Sequence, residues 1–153
     1  ALANVMLAVQ GTQGHSFRVW KRAWGDARLT EPAHAALTTV GLAAKANTKV
    51  ADLSHGECRQ LALAMALAMK PRLLLLDEPM AGMGRQDGAA MTDLVAELKG
   101  VTTIVLIEHD MEAVFRLADR ISVLVAGRVI KTGLPEEVRV DEDVRAAYLG
   151  HSH

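Results

Sequence analysis

The residues best suited to chemistry in this chain lie between Leu53 and Pro79. The stretch opens on Leu53-Ser54-His55-Gly56-Glu57, runs through a helix-like segment, and closes on Leu73-Leu74-Leu75-Leu76-Asp77-Glu78-Pro79. An apolar run that ends in two adjacent carboxylates is costly unless they meet a metal, a water or a substrate, because burying unpaired charge is heavily penalised. Asp77 and Glu78 stand at the carboxyl end of a buried strand, where open α/β sheets place their ligands. Neighbouring side chains on a strand point opposite ways. Asp77 can then reach Mg²⁺, directly or through water, while Glu78 polarises an attacking water. The plainer alternative, a surface Asp-Glu-Pro turn, is weakened by the leucines that precede it.

Ser54-His55-Gly56-Glu57 has the spacing of a capping box, with Ser54 accepting from the Glu57 amide and the Glu57 side chain reaching back. Alone, that predicts only a helix start. A helix N-terminus also exposes backbone N–H groups and the positive end of the dipole, and a glycine lets an anion approach closely. The same four residues can therefore hold a phosphate. Glu108-His109-Asp110 closes a second apolar run, Thr102 to Ile107. A lone histidine there is usually structural; if the two strands are neighbours it lies beside Asp77-Glu78, and an imidazole can donate to a γ-phosphate. Together these residues read as part of a nucleotide-hydrolysing site.

The elements that must position them follow from periodicity. Leu2, Val5, Met6 and Val9 share one face of a helix that Gly11 and Gly14 should break. Ser16 to Trp24 is an aromatic and basic segment (Phe17, Arg18, Trp20, Lys21, Arg22, Trp24), read equally as a protein contact surface or an amphipathic helix. Ala33, Ala36, Leu37 and Val40 mark a helix over Glu31 to Val40, with Thr30 as cap and Gly41 as stop. After about Asp52, continuous apolar strands alternate with amphipathic helices, as in a parallel sheet covered on both faces. Strands are expected at Leu73–Leu76, Thr102–Ile107, Ile121–Val125 and Arg128–Lys131. Helices are expected at Glu57–Met69, Asp87–Lys99 and Met111–Leu117. The stripes Met91, Leu94, Val95, Leu98 and Met111, Val114, Phe115, Ala118 should pack on the sheet. Ala126-Gly127 predicts a hairpin, so the last two strands should be antiparallel. Pro135 should start a short helix and Asp141 cap a final one carrying Val144, Ala147 and Tyr148.

At 153 residues, half of them hydrophobic, the chain can bury a sizeable core. A net charge of -1 without a basic run gives no electrostatic footprint for nucleic acid. No apolar stretch approaches the roughly 20 residues of a membrane-spanning helix, and the first residues lack the pattern of a signal peptide. The single cysteine, Cys58, excludes an internal disulfide and reads as a small residue on a half-buried helix face. His15 and His34 read as surface or helix residues, and His151-Ser152-His153 as a loose tail.

Read together, these motifs resemble the nucleotide-binding subunit of an ATP-binding-cassette (ABC) transporter. Leu53-Ser54-His55-Gly56-Glu57 resembles the family's signature loop, and Leu73 to Glu78 its Walker B strand with the catalytic glutamate. Met80 to Gly84 resembles its D-loop and His109 its switch histidine. Ala81-Gly82-Met83, Ile107-Glu108-His109-Asp110-Met111 and Ala147-Tyr148-Leu149-Gly150 resemble the importer branch for branched-chain amino acids and related amides. His55 replaces the middle glycine of the commonest signature form, and Gly84 stands where many members carry an aspartate, which puts the cross-dimer D-loop contact in question. No G-x-x-x-x-G-K-[ST] phosphate loop and no Q-loop glutamine occur.

The resemblance implies an α/β fold: a truncated P-loop NTPase with a mostly parallel sheet and an N-terminal helical subdomain. It divides the chain into a helical part over 1–52, the C-terminal part of the ATPase core over 53–150, and a tail over 151–153. It implies ATP and Mg²⁺ as cofactors, with Asp77 as the metal residue and Glu78 and His109 as catalytic. Ser54, His55, Gly56 and Glu57 would bind ATP in trans across a head-to-tail dimer with a second ABC ATPase subunit. Membrane permease subunits would be the other partners, at the cytoplasmic face of a bacterial plasma membrane. Without a phosphate loop the chain alone is expected not to hydrolyse ATP, and it reads as part of a longer cassette that would self-associate. The rival readings are a non-catalytic interaction module and a soluble ABC-type ATPase of repair or translation.

Overall fold

The computed structural model describes residues 1–12 and 25–149, the side chains of Tyr148 and Leu149 excepted. The aromatic and basic segment Ser16–Trp24, Gly14, His15 and the tail 151–153 lie outside the described residues. Contacts divide the chain into two compact units, Ala1–Ile107 and Glu108–His153.

The first unit begins with helix α1 (Leu2–Thr12), whose buried residues are the expected Leu2, Val5, Met6 and Val9. The helix runs through Gly11 rather than stopping there, because a glycine near a helix end costs only about 1 kcal/mol against alanine. Helix α2 (Ala27–Thr39) starts a turn earlier than expected: Asp26 caps it by accepting from the Arg28 amide at 3.1 Å, and Thr30 lies inside the helix. Ala33, Ala36, Leu37 and Val40 are buried as the period requires. Gly41, with φ +76, follows as the stop. Two short 3-10 turns, Ala43–Lys45 and Val50–Asp52, lead to helix α3 (His55–Ala68), and α1, α2 and α3 pack on one another.

Strand β1 (Leu73–Asp77), helix α4 (Arg85–Leu98) and strand β2 (Thr103–Ile107) complete this unit. The strands pair in parallel, Leu73 with Thr103 through Asp77 with Ile107. Met91, Leu94, Val95 and Leu98 of α4 are buried, as expected. The strands are not covered on both faces. Leu74 is 6% exposed, whereas Leu75 is 70%, Val105 47% and Ile107 59% exposed. With parallel register and a period of two, Leu73, Leu75 and Asp77 share that open face with Thr103, Val105 and Ile107.

In the second unit, helix α5 (Met111–Leu117) precedes strands β3 (Ile121–Val125) and β4 (Arg128–Gly133), followed by helices α6 (Pro135–Val140) and α7 (Glu142–Leu149). The fully buried residues of α5 are Ala113 and Leu117, while Val114, Phe115 and Ala118 of the expected stripe are partly buried against a core of Ile121, Val123, Val138 and Val144. β3 and β4 form the expected antiparallel hairpin, with a register shift at Val123/Leu124. Ala126 and Gly127 both have positive φ (47° and 77°), as a type I′ turn demands. Asp141 caps α7 by accepting from the Val144 amide at 3.1 Å. It also pairs with Lys131 at 2.8 Å, which holds its carboxyl below the usual aspartate range and the Lys131 amine above the usual lysine range.

The strands therefore form two separate two-stranded sheets, one parallel and one antiparallel, and not one mostly parallel sheet. The reason is local. A parallel pair needs a helical crossover, which α4 supplies once, whereas a two-residue turn closes β3–β4 as a hairpin.

Candidate functional site

Ser54 is the N-cap of α3, in extended conformation. Its Oγ accepts from the Glu57 amide at 3.2 Å, and Glu57 Oε2 accepts from the Ser54 amide at 2.9 Å, so the capping box is complete. The other Glu57 oxygen pairs with Lys45 of the first 3-10 turn. The Lys45 hydrogen bond first, and then the Ser54 amide, hold the Glu57 carboxyl below the usual glutamate range. Both oxygens of Glu57 are thus engaged, one by the cap and one by Lys45. The amides available to an anion at this end are those of His55 and Gly56, which the helical ladder supplies with no acceptor.

Gly56 is buried. A Cβ there would meet Met83 Cε at 3.2 Å and Asp87 Oδ2 at 3.4 Å, so the packing is tight and a side chain would make both neighbours give way. The first turn of α3 is in this way pressed against the segment that follows β1. His55 reaches the same segment, since its Nε2 lies 3.8 Å from a Cβ built on Gly82, whose φ of +71° is itself a glycine conformation.

Asp77 is the last residue of β1 and faces the open side of the parallel pair. Glu78 is already outside the strand. Its amide donates to Ile107 O at 2.8 Å, extending the ladder by one bond, but its φ of +44° turns the chain left-handed. That conformation costs a non-glycine residue about 1–2 kcal/mol. The alternation of strand side chains therefore ends at Asp77, and the turn aims Glu78. The turn is held from α3: Arg59 Nη1 donates to Glu78 O at 2.8 Å and to Pro79 O at 3.4 Å. Gly84 then caps α4 with no side-chain hydrogen bond.

Among the described residues no cluster of three or more His, Cys, Asp or Glu could hold a metal ion. Magnesium is commonly held by one or two carboxylates together with substrate phosphates, and a single exposed carboxylate such as Asp77 fits that mode and not an all-protein cage.

β1 and β2 are neighbours, the condition on which the reading of His109 rested. His109 itself belongs to the second unit, two residues beyond the end of β2 in the chain. It is exposed, and its amide donates to Glu108 Oε2 at 3.1 Å. Asp110 caps α5, accepting from Glu112 and Ala113.

The first unit thus brings Ser54, His55, Gly56 and Glu57 against the turn that carries Glu78. Two residues in this arrangement escaped the sequence reading. Arg59 had a faint signal, its i, i+4 spacing from His55 on the helix. Lys45 had none, because its partner lies across a loop.

Residues 4–81 match the family model described as ABC transporter, a span that holds both Ser54–Glu57 and Asp77–Glu78. The chain belongs to the ABC transporter family. A second model, Branched-chain amino acid ATP-binding cassette transporter, matches residues 128–153. One relative, the high-affinity branched-chain amino acid transport ATP-binding protein LivG of Salmonella typhimurium, is 41% identical over 118 residues, covering 76% of the chain and 46% of that relative. The sequence is similar to ATP-binding subunits of the branched-chain amino acid type, and it spans about half the length of such relatives.

An ATP-binding cassette of an ABC transporter, solved in its ADP conformation, superposes with a TM-score of 0.79 over 99% of this chain and 63% of that chain, at 24% identity. That likeness establishes the fold. The dimeric structure of a post-hydrolysis state of an ATP-binding cassette, bound to ADP and Pi, gives a TM-score of 0.70 over 88% of this chain and 56% of that chain, at 27% identity.

Proposed function

We propose that the chain is part of the ATP-binding subunit of an ABC importer for branched-chain amino acids or related amides. The observation that carries this reading is the family match over residues 4–81, which takes in the capped start of α3 and the carboxylates that end β1. The match over residues 128–153 supports the solute class.

In this reading two copies of the cassette pair head to tail, as the dimeric ADP- and Pi-bound relative supports. Ser54 and the amides of His55 and Gly56 bind the γ-phosphate of a partner's ATP, where the helix dipole favours negative charge. Glu57 contributes by holding the cap, since Lys45 and the Ser54 amide occupy its carboxylate. Asp77 serves the chain's own nucleotide as the Mg²⁺ residue. Bound there, the ion would neutralise charge on the phosphates. Glu78 accepts a proton from the attacking water, and His109 senses the γ-phosphate by donating to it. The helical part over 1–52 faces the permease at the cytoplasmic side of the membrane. No helix among the described residues is long and apolar enough to cross a membrane.

The 153 residues contain no lysine-bearing phosphate loop, and phosphoryl transfer depends on positioning and electrostatics that such a loop supplies. The chain alone should show no magnesium-dependent ATP turnover. Turnover that Glu78→Gln removes would overturn that statement. Mixed with a family subunit that carries a phosphate loop, the chain should raise that subunit's hydrolysis, and Ser54→Arg should abolish the gain. No gain over the partner alone would overturn the trans role. The open apolar face of β1–β2 also favours self-association of the chain at high concentration.

A further inference from the structure

We propose that Arg59 is a positioning residue that locks the turn carrying Glu78 to the first turn of α3, so that the two chemical ends of the site move as one body. The inference rests on the reading above for what those ends do, but the lock itself is a matter of geometry within the first unit.

Three hydrogen bonds define it. Arg59 Nη1 donates to the carbonyls of two consecutive residues, Glu78 at 2.8 Å and Pro79 at 3.4 Å, while Arg59 Nε donates to His55 Nε2 at 3.3 Å. A guanidinium is planar and presents its donors in a fixed fork, so these bonds set the helix turn and the strand-end turn at one spacing. A lysine, with one swivelling ammonium, cannot hold both in a fixed relation. The Glu78 carbonyl also accepts from the Ala81 amide at 3.1 Å. Its two lone pairs are then both used, and the turn is pinned from within and from α3.

The turn needs such a restraint. Glu78 has φ +44°, a conformation that side-chain-bearing residues adopt only when their surroundings over-determine it. On the α3 side, Gly56 packs closely against Met83 and Asp87, and His55 approaches Gly82. Displacing the turn would therefore disturb the start of α3 as well. Through Arg59, a shift of Ser54–Gly56 toward a partner's phosphate would be passed to the backbone of Glu78, which faces the chain's own nucleotide. The lock is thus a route by which the two sites inform each other.

The Arg59–His55 bond carries its own signature. Arginine only donates, so Nε2 of His55 must offer its lone pair and the neutral ring must carry its proton on Nδ1, the tautomer that histidine disfavours in water. Two measurements on the full chain, needing no nucleotide, test the lock. Arg59→Met keeps the apolar stem and removes every donor. It should speed amide exchange at Ala81 and Met83 by about tenfold while the β1–β2 ladder amides stay at wild-type rates. It should also move the ¹⁵N pattern of the His55 ring from the Nδ1–H to the Nε2–H tautomer. Unchanged exchange at Ala81 and Met83, or an Nε2–H ring already present in the wild type, would overturn the proposal.

A merely structural arginine would raise exchange across the ladder and leave the tautomer alone. Should Arg59→Met lose ladder protection, Arg59→Lys decides. It should retain the ladder and fail to keep Ala81 protection and the Nδ1–H tautomer together; keeping both would sink the idea. Neither readout depends on ATP, so the lock can fail while the trans stimulation by Ser54 holds, and the reverse.

Discussion

Strands β3 and β4 are joined by a two-residue turn and β1 and β2 by a helix, and the two pairs differ in how they cover their apolar surface. The hairpin puts Ile121 and Val123 into a core with Val138 and Val144, and the helices that follow it supply the cover. In the parallel pair only Leu74 is buried, and Leu75, Val105 and Ile107 stand open. The hairpin's other face is open too, with Leu124 and Val129 exposed. What separates them is the covered face: α6 and α7, next in the chain, pack on one face of the hairpin and bury two of its apolar residues, Ile121 and Val123, where the parallel pair buries one. The proposed function puts its carboxylates on the less covered pair, where a ligand has strand ends and an open face to approach.

The largest test of that contrast is Val138→Ala. Val138 is fully buried in the hairpin's core, so the change should cost the second unit about 2 kcal/mol, read by urea unfolding with amide exchange on β3–β4. A loss below a quarter of that would mean the hairpin is no better packed than the parallel pair. Next is Ser54→Ala, which removes the cap beside the site and should cost about 1 kcal/mol. Ala126→Asn, at the first turn position with φ +47°, should stabilise the hairpin by about 0.5–1 kcal/mol, since asparagine tolerates the left-handed region. Leu75→Lys should change stability by less than about 0.5 kcal/mol, because the side chain is 70% exposed, yet reduce association in sedimentation. Unaltered association would place the contact elsewhere.

The smallest effect is in pH. The Asp141 carboxyl is held low in the folded chain by Lys131, so its contribution is present above the ordinary aspartate value, about 3.9, and is lost as pH falls through the depressed folded value. Lys131 is held high, so its contribution is present below about 10.4 and is lost as pH rises through the raised folded value. Asp141→Asn should flatten both limbs for the second unit. Glu57 behaves like Asp141 on the acid side, and Glu57→Gln should remove that part of the acid limb from the first unit.

How much of this was legible in the sequence follows the same division. Elements whose pattern is local were readable: Ile121–Val125, Met111–Leu117, the Ala126-Gly127 turn, the Asp141 cap and the stripe of α4 stand where their periods put them. The capping box at Ser54 was readable because its partners are three residues apart. The sheet count was not, since whether β3–β4 joins β1–β2 depends on contacts no short window holds. Asp77 ends its strand as read, but Glu78 leaves it, because a left-handed residue after a strand is imposed by tertiary bonds, here from Arg59. The Asp26 cap displaced Thr30 because either residue has the chemistry for that position, and only packing chooses.

The difference in connection also orders events in time. The hairpin pairs residues close in the chain, so its loop closes early and its core can form on the microsecond scale of a β-hairpin, about 1–10 μs. Leu73 pairs with Thr103 across the whole of α4, a longer loop whose closure costs more chain entropy. During refolding, the strand that carries Asp77 therefore waits longer for its partner than β3 waits for β4. In that interval its leucine run is exposed apolar chain of the kind that promotes aggregation.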